Sequence, residues 1–275
     1  MNAPKVTWSK DKADAVLAPY RVLLDAQTRW SGSDEDRLFR ASLLLHSGRI
    51  PGMCPDDKIN GLYGSMDSCP SGDVVEIGTW WGKSALVLLL LARHYSIGNI
   101  LCVDPWRDEE LVQGVPSVDE ASAALSAKEA FEVFKMNLLP YKMIRRPMHS
   151  DDEAHDSDFN YFRATSAAAN KWLAGNAYPG YPSIYSLISE EFGETYYSGR
   201  IALLHIDGNH AYEKVKQDVE LWTPLVVPGG WIVIDDYDWR HGDGPRRAAD
   251  EYLLAHPETM RHFIAGGAMF IQVPQ

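Results

Sequence analysis

Short apolar runs that stop abruptly at acidic residues or glycines set the pattern of this chain. Residues 73–77, 99–103, 201–206 and 231–234 are runs of this kind. They are too short for ordinary helices and too apolar for exposed segments, which suits strands of a sheet buried on both faces. Between them, apolar positions return at helical spacing. Helices are expected at 85–93, at 128–138 with Phe131, Phe134 and Leu138 inward, and at 246–255; another carries Ala211, Val215, Val219 and Trp222 on one stripe. A further strand is expected at 142–146. Gly266-Gly267 separates the runs 261–265 and 268–273, a two-residue hairpin signal that makes the last strand antiparallel. Strand and helix alternate, so the pattern predicts an α/β fold with a mixed sheet.

Three stretches fall outside this alternation. Residues 1–70 read as an N-terminal helical cover or lid. A helix is expected from Pro19 to about residue 29, since proline is best tolerated in a first turn. A second is expected at 34–47, behind a Ser33/Asp36 capping box. Residues 50–71, rich in Pro, Gly and Asp, read as a loop with about one helical turn. Residues 107–127 form a polar connection too long for a bare loop. Residues 152–200 exceed what a crossover needs and carry Tyr161, Trp172, Tyr178, Tyr181, Tyr185, Tyr196 and Tyr197, with a helix expected at 183–192. Long insertions in compact domains are usually functional, and these side chains suit acceptor recognition or a subunit contact equally.

Composition narrows the partners. The 275 residues suffice for one large α/β domain, 71–275, behind the cover. Net charge is −12 with no basic block, which argues against a nucleic-acid partner. No apolar run is long enough to span a bilayer. The three cysteines have no metal-like spacing, which points to a reducing compartment, and a cytoplasmic location is expected.

Strands of a parallel sheet end at one edge, where open α/β folds bind ligands. Asp207, Asp235 and Asp236 converge there, with His210 one step along the loop. Carboxylates held close call for a proton or a cation, and an oxygen-only trio favours a hard ion such as Mg²⁺, or Mn²⁺. The competing reading is a set of solvated acidic caps. Gly78 and Gly82 follow the first strand and let the backbone approach a ligand near a helix N-terminus. Their spacing, Glu76-x-Gly78-x-x-x-Gly82, is not the dinucleotide fingerprint. Asp104 ends the second strand, where a carboxylate can meet a ribose diol. The 151–158 segment, with His155 among carboxylates, reads as a solvated loop and not a metal cluster.

Taken in order, the acidic-x-Gly-x-x-x-Gly motif, Asp104, Asp207, the Pro228-Gly229-Gly230 turn and the closing hairpin resemble the class I S-adenosylmethionine-dependent methyltransferases. The resemblance implies a Rossmann-like, doubly wound seven-stranded sheet of order 3-2-1-4-5-7-6. Val103-Asp104-Pro105-Trp106, Ile206-Asp207-Gly208-Asn209-His210 and Ile234-Asp235-Asp236-Tyr237 are similar to motifs of the metal-dependent sugar O-methyltransferases of the macrocin and mycinamicin type. That likeness implies that Asp207, Asp235 and Asp236 hold Mg²⁺ and that His210, beside Asp207, is the general base. Some relatives use an Asp where this chain has Asn209, which cannot take a proton. The likeness further implies Glu76, Gly78 and Gly82 along the methionine part of S-adenosylmethionine, with Ser84 by its carboxylate. It puts Asp104 at the ribose and Ser150 with Asp151 at the adenine. The expected partner is a small-molecule acceptor, glycosylated, and a homo-oligomer is expected.

Two other readings compete. A catechol-type O-methyltransferase shares the acidic positions but has no need of the aromatic insertion. A non-catalytic cofactor-binding protein would have no need of the intact Asp207, His210, Asp235 and Asp236. An NAD-linked oxidoreductase is disfavoured by the glycine spacing.

Overall fold

The computed structural model describes residues 9–122, 124–141, 144–145, 156–175, 201–259 and 261–275. Ser150, Asp151, most of the long insertion and the helix expected at 183–192 lie outside the described residues. The chain divides into two compact units, 1–50 and 51–275. In the first, α1 (Lys10–Gln27) and α2 (Asp34–Ser47) pack together. Helix α1 begins well before Pro19, because Ser9 accepts from the Lys12 N–H at 3.3 Å and starts the helix there. Proline then sits inside the helix, contrary to the expected start. The Ser33/Asp36 capping box is present as read.

The second unit opens with α3 (Asp56–Met66), where a loop with about one turn is expected. Its glycines argue against a helix in isolation, but tertiary packing overrides them. A Cβ at Gly61 would lie 2.7 Å from the Phe270 ring, so glycine is what lets this helix lie close on the sheet.

The sheet is built from β1 (Asp73–Ile77), β2 (Ile100–Val103), β5 (Phe159–Phe162), β6 (Ile201–Ile206), β7 (Val226–Ile234), β8 (Arg261–Ala265) and β9 (Ala268–Gln272). Their spatial order is β5-β2-β1-β6-β7-β9-β8, the expected 3-2-1-4-5-7-6, with β9 antiparallel to both neighbours. Between the strands run α4 (Lys83–His94), α5 (Pro116–Ser122), α6 (Ala127–Leu138), α7 (Ser166–Gly175), α8 (Tyr212–Trp222) and α9 (Gly244–Ala255). Val75, Ile77, Leu204, Ile206, Ile232 and Ile234 face Val215, Val219 and Trp222 of α8 in one core. The intervening positions Val74, Glu76, Leu203 and His205 point to the opposite face, and all four are buried. No helix among the described residues is long and apolar enough to cross a membrane.

One strand is misplaced in the sequence reading. The third sheet strand is β5, paired with β2 from Ile100↔Phe159 to Val103↔Phe162, not residues 142–146. Ile144–Arg145 (β3) pairs instead with Asp156–Ser157 (β4) in a separate two-stranded ladder. The reason is polarity: Lys142, Arg145 and Arg146 leave too little apolar surface for a strand covered on both faces. Arg93 grips Asp158 just before β5, at 2.6 Å from Nε to Oδ2, so this end of the acidic segment is buried and paired rather than solvated. The stretch expected as an insertion therefore contributes β5 and α7 to the domain.

Candidate active site

Strand order reverses between β1 and β6, and the loops that leave these strands touch. A Cβ on Gly78 (φ +80°) would fall 2.1 Å from the Asp207 carbonyl oxygen, so no other residue fits this crossing unstrained. The Gly78 N–H donates to Val103 O at 2.8 Å, and the Asp207 N–H to Ile77 O at 2.8 Å. Beside this crossing opens a cavity of about 660 Å³. Ligand crevices lie at such switch points in open α/β sheets.

Asp104 builds one wall. Its Oδ2 accepts from the N–H groups of Thr79 (2.8 Å) and Trp80 (2.9 Å), and its Oδ1 from that of Trp106 (2.7 Å). Both tryptophans have left-handed backbones, at φ +49° and +42°, and Trp106 Nε1 donates to Trp80 O. A side chain held in that region costs energy and persists because its surroundings fix it. Burial pushes the Asp104 carboxyl up, and its bonds to the Trp80, Trp106 and Thr79 amides offset this only in part. Ser84, in the first turn of α4, and Gly78 line the same cavity.

The same cavity is lined by part of the acidic cluster. Asp207, His210 and Asp236 line the cavity. His210 Nε2 lies 2.9 Å from Asp236 Oδ2, and the imidazole lies edge-on to Trp239 with ring centroids 4.6 Å apart. The His210 N–H donates to Gln113 Oε1 (2.7 Å), and Asn209 Nδ2 to Val112 O (2.7 Å). The polar connection at 107–127 thus clamps the loop after β6. Asn209 also accepts from the Ala211 N–H at 2.9 Å, while α8 has no side-chain cap of its own. His210 therefore does not serve as the helix cap.

The expected trio is divided. Asp235 does not line the cavity; its Oδ2 is bonded to Nζ of Lys58 on α3, and Asp207 Oδ2 stands 3.6 Å from the same ammonium. Behind them, His205 places Nδ1 3.1 Å from Glu76 Oε1 and Nε2 3.8 Å from Asp235 Oδ2. The Cys102 thiol lies 3.8 Å from Glu76 Oε2. Burial would lower the Lys58 pKa, but Asp207 and Asp235 outweigh it and hold the ammonium well above the usual lysine range. Burial and the neighbouring Asp235 push Asp207 up; at Asp235 burial is outweighed by Lys58 and His205, and the carboxyl falls to about 2. Among the described residues, two groups have ligand atoms close enough for an ion: His205–Asp207–Asp235 and Asp207–His210–Asp236. The first already contacts a cation, Lys58.

Of the expected cofactor residues, Gly78, Ser84 and Asp104 line the cavity. Glu76 does not. Strand alternation turns it to the opposite face of the sheet, where it is fully buried beside His205. Gly82 does not either: a Cβ there would meet Leu138 of α6 at 2.4 Å, so this glycine serves helix packing. Sequence reasoning passed over Lys58, Gln113, His205 and Trp239. Parity with Glu76 across neighbouring strands could have found His205. Nothing in the local sequence marks Lys58.

The model of a family described as a methyltransferase domain matches residues 75–237. No curated protein matches the sequence. Among solved structures, the chain is similar to CalS11, calicheamicin methyltransferase. The identity is 15% over 97% of this chain and 94% of that one, with a TM-score of 0.50. It is also similar to the O-methyltransferase NovP, at 17% identity, 79% and 80% coverage and a TM-score of 0.49. A third is the MycE methyltransferase of the mycinamycin pathway, solved with Mg, SAH and mycinamycin VI. There the identity is 14% over 100% of this chain and 68% of that one, with a TM-score of 0.46. The likeness to CalS11 shows a common fold.

Proposed function

Because the chain belongs to the methyltransferase-domain family, whose model covers residues 75–237, we propose that it is an S-adenosylmethionine-dependent O-methyltransferase. Its acceptor is a hydroxyl of a sugar or glycosylated natural product, and a divalent cation assists. The observation that carries this reading is one cavity lined by both expected sets: Gly78, Ser84 and Asp104, read as cofactor residues, and Asp207, His210 and Asp236, read as acceptor residues.

The first set suits the cofactor. The start of α4 presents backbone N–H groups and Ser84 to a carboxylate, and Asp104 offers a lone pair to a ribose hydroxyl. Trp80 and Trp81, with ring centroids 5.5 Å apart, give the cavity flat apolar faces of the kind on which the C–H side of a sugar packs.

Methyl transfer is an in-line displacement from a sulfonium. The sulfur leaves without protonation, so the protein has to position the acceptor oxygen and take its proton. His210 is the residue for that proton. Asp236 Oδ2 stands 2.9 Å from Nε2, where a carboxylate steadies the ring once it carries a proton. The proton passes from the acceptor hydroxyl to the imidazole, and Asp236 stabilises the imidazolium. Trp239 packs against the ring, and Gln113 holds the His210 backbone. Asp207 and Asp236 are hard oxygen donors that face the cavity, and they fit a hard ion completed by water and acceptor oxygens. When bound there, Mg²⁺ or Mn²⁺ supplies Lewis acidity to a hydroxyl oxygen.

The purified protein should bind S-adenosylmethionine and S-adenosylhomocysteine in calorimetry and show no heat with NAD. NAD binding without homocysteine-product binding would overturn the assignment. Incubated with S-adenosylmethionine, Mg²⁺ and a panel of glycosides and catechols, it should add one methyl mass to a glycoside. EDTA should abolish that gain and Mg²⁺ or Mn²⁺ restore it. Transfer to catechols alone removes the sugar assignment, and full turnover in EDTA with metal content checked removes the divalent cation.

A further inference from the structure

Lys58 is a charged group that the proposed chemistry does not use. Its side chain has 0% exposure, although it lies in a stretch that reads from the sequence as a loop and folds as α3. A buried ammonium is costly unless it is paired and hydrogen-bonded. Here Nζ bonds Asp235 Oδ2 and stands 3.6 Å from Asp207 Oδ2. The position is built into the fold. Gly61, one turn along α3, admits the helix to the sheet, and the Gly266 turn between β8 and β9 rests on the Lys58 backbone: a Cβ at Gly266 would come within 2.3 Å of the Lys58 main-chain nitrogen. His205, itself tied to Glu76, closes the far side of Asp235. Of the two groups able to take an ion, the inner one, His205–Asp207–Asp235, thus has an ammonium against both of its carboxylates. The outer one, Asp207–His210–Asp236, faces the cavity.

We propose that Lys58 is a resident cation of the inner half of the cluster, so that a divalent ion is confined to Asp207 and Asp236 and binds more weakly than three free carboxylates would allow. The argument is electrostatic. A positive charge 3.6 Å from a ligand oxygen opposes a second cation on that oxygen, and Asp235, neutralised and turned from the cavity, adds nothing to its hold. The affinity claim rests on the cation reading of the previous subsection; the pairing of Lys58 with Asp235 does not.

The test is Mn²⁺ binding, by calorimetry or electron paramagnetic resonance, to the full chain and its Lys58→Met, Asp235→Asn and double variants, with the thermal midpoint of each. Lys58→Met should bind Mn²⁺ at least about tenfold more tightly, because an opposing charge is gone. Asp235→Asn should leave Mn²⁺ affinity within about threefold. Each single change should lower the midpoint, and the double variant should recover part of the loss, because neither charge is then left buried alone. Loss of Mn²⁺ affinity by tenfold or more in Asp235→Asn would make Asp235 a metal ligand and overturn the proposal. So would unchanged affinity in Lys58→Met while the wild type binds. If Lys58→Met does not fold, Asp235→Asn decides alone. If none of the four binds Mn²⁺, the divalent reading and the affinity claim fall together, and the midpoints still decide the pairing: no recovery in the double variant overturns that too.

Discussion

Asp104→Ala should cost the protein most of its affinity for S-adenosylmethionine and at least about 3 kcal/mol of stability. The estimate follows from three N–H groups, on Thr79, Trp80 and Trp106, that lose their acceptor. An orphaned donor costs roughly 1–3 kcal/mol where water cannot reach it, and Asp104 is itself only 7% exposed. Two tryptophans held at positive φ would relax once released, and the cavity wall they form would move with them. A carboxylate has about four lone-pair positions, of which three are in use, so one remains for a ribose hydroxyl. Asp104→Asn keeps one acceptor oxygen and turns an amide toward the other donors, so it should fall between wild type and alanine. Calorimetry with S-adenosylhomocysteine and thermal melts read both effects. An alanine variant with wild-type midpoint and affinity would remove Asp104 from both roles. Lost affinity with an unchanged midpoint would leave only the ribose contact.

The double role of Asp104 illustrates how much was legible. A strand-end Asp is visible in sequence, and so is its place at the ligand edge of the sheet. That its Oδ2 is spent on the neighbouring loop is not, because Thr79 and Trp80 are brought to it by the pairing of β1 with β2. The apolar runs that became β1, β2, β6 and β7 were readable since burial on both faces leaves an uninterrupted hydrophobic signature. β5 escaped notice because Asn160 interrupts its apolar run, and it follows a dense acidic segment. α3 escaped for the opposite reason: Gly61 weakens the helix locally and is required for its packing. Lys58 was the least legible. A lysine between Asp57 and Ile59 looks solvated, and only the third dimension carries its ammonium to Asp235 and Asp207. Glu76 was readable in principle, since Val75 and Ile77 belong to the core face and Glu76 must point the other way.

His210→Ala should reduce turnover by about 10²–10⁴-fold, the usual contribution of a positioned acid or base. At 1.36 kcal/mol per tenfold this is roughly 3–5 kcal/mol of transition-state stabilisation. The imidazole has Asp236 Oδ2 2.9 Å from Nε2, packs on Trp239 and lines the cavity. Affinity for S-adenosylhomocysteine should stay near wild type, since His210 is assigned no contact with the cofactor. A single-turnover assay with saturating S-adenosylmethionine separates the chemical step from binding and release. The rival explanation is a histidine that only caps α8. Asparagine caps helices well, so on that account His210→Asn would retain activity. The geometry argues otherwise, because Asn209 already accepts from the Ala211 N–H and the His210 side chain bonds Asp236 instead. Asparagine cannot take a proton from an acceptor hydroxyl, so His210→Asn should be as slow as His210→Ala while its thermal midpoint stays closer to wild type. Near wild-type turnover in His210→Asn would end the catalytic assignment and leave Asp236 to account for the proton.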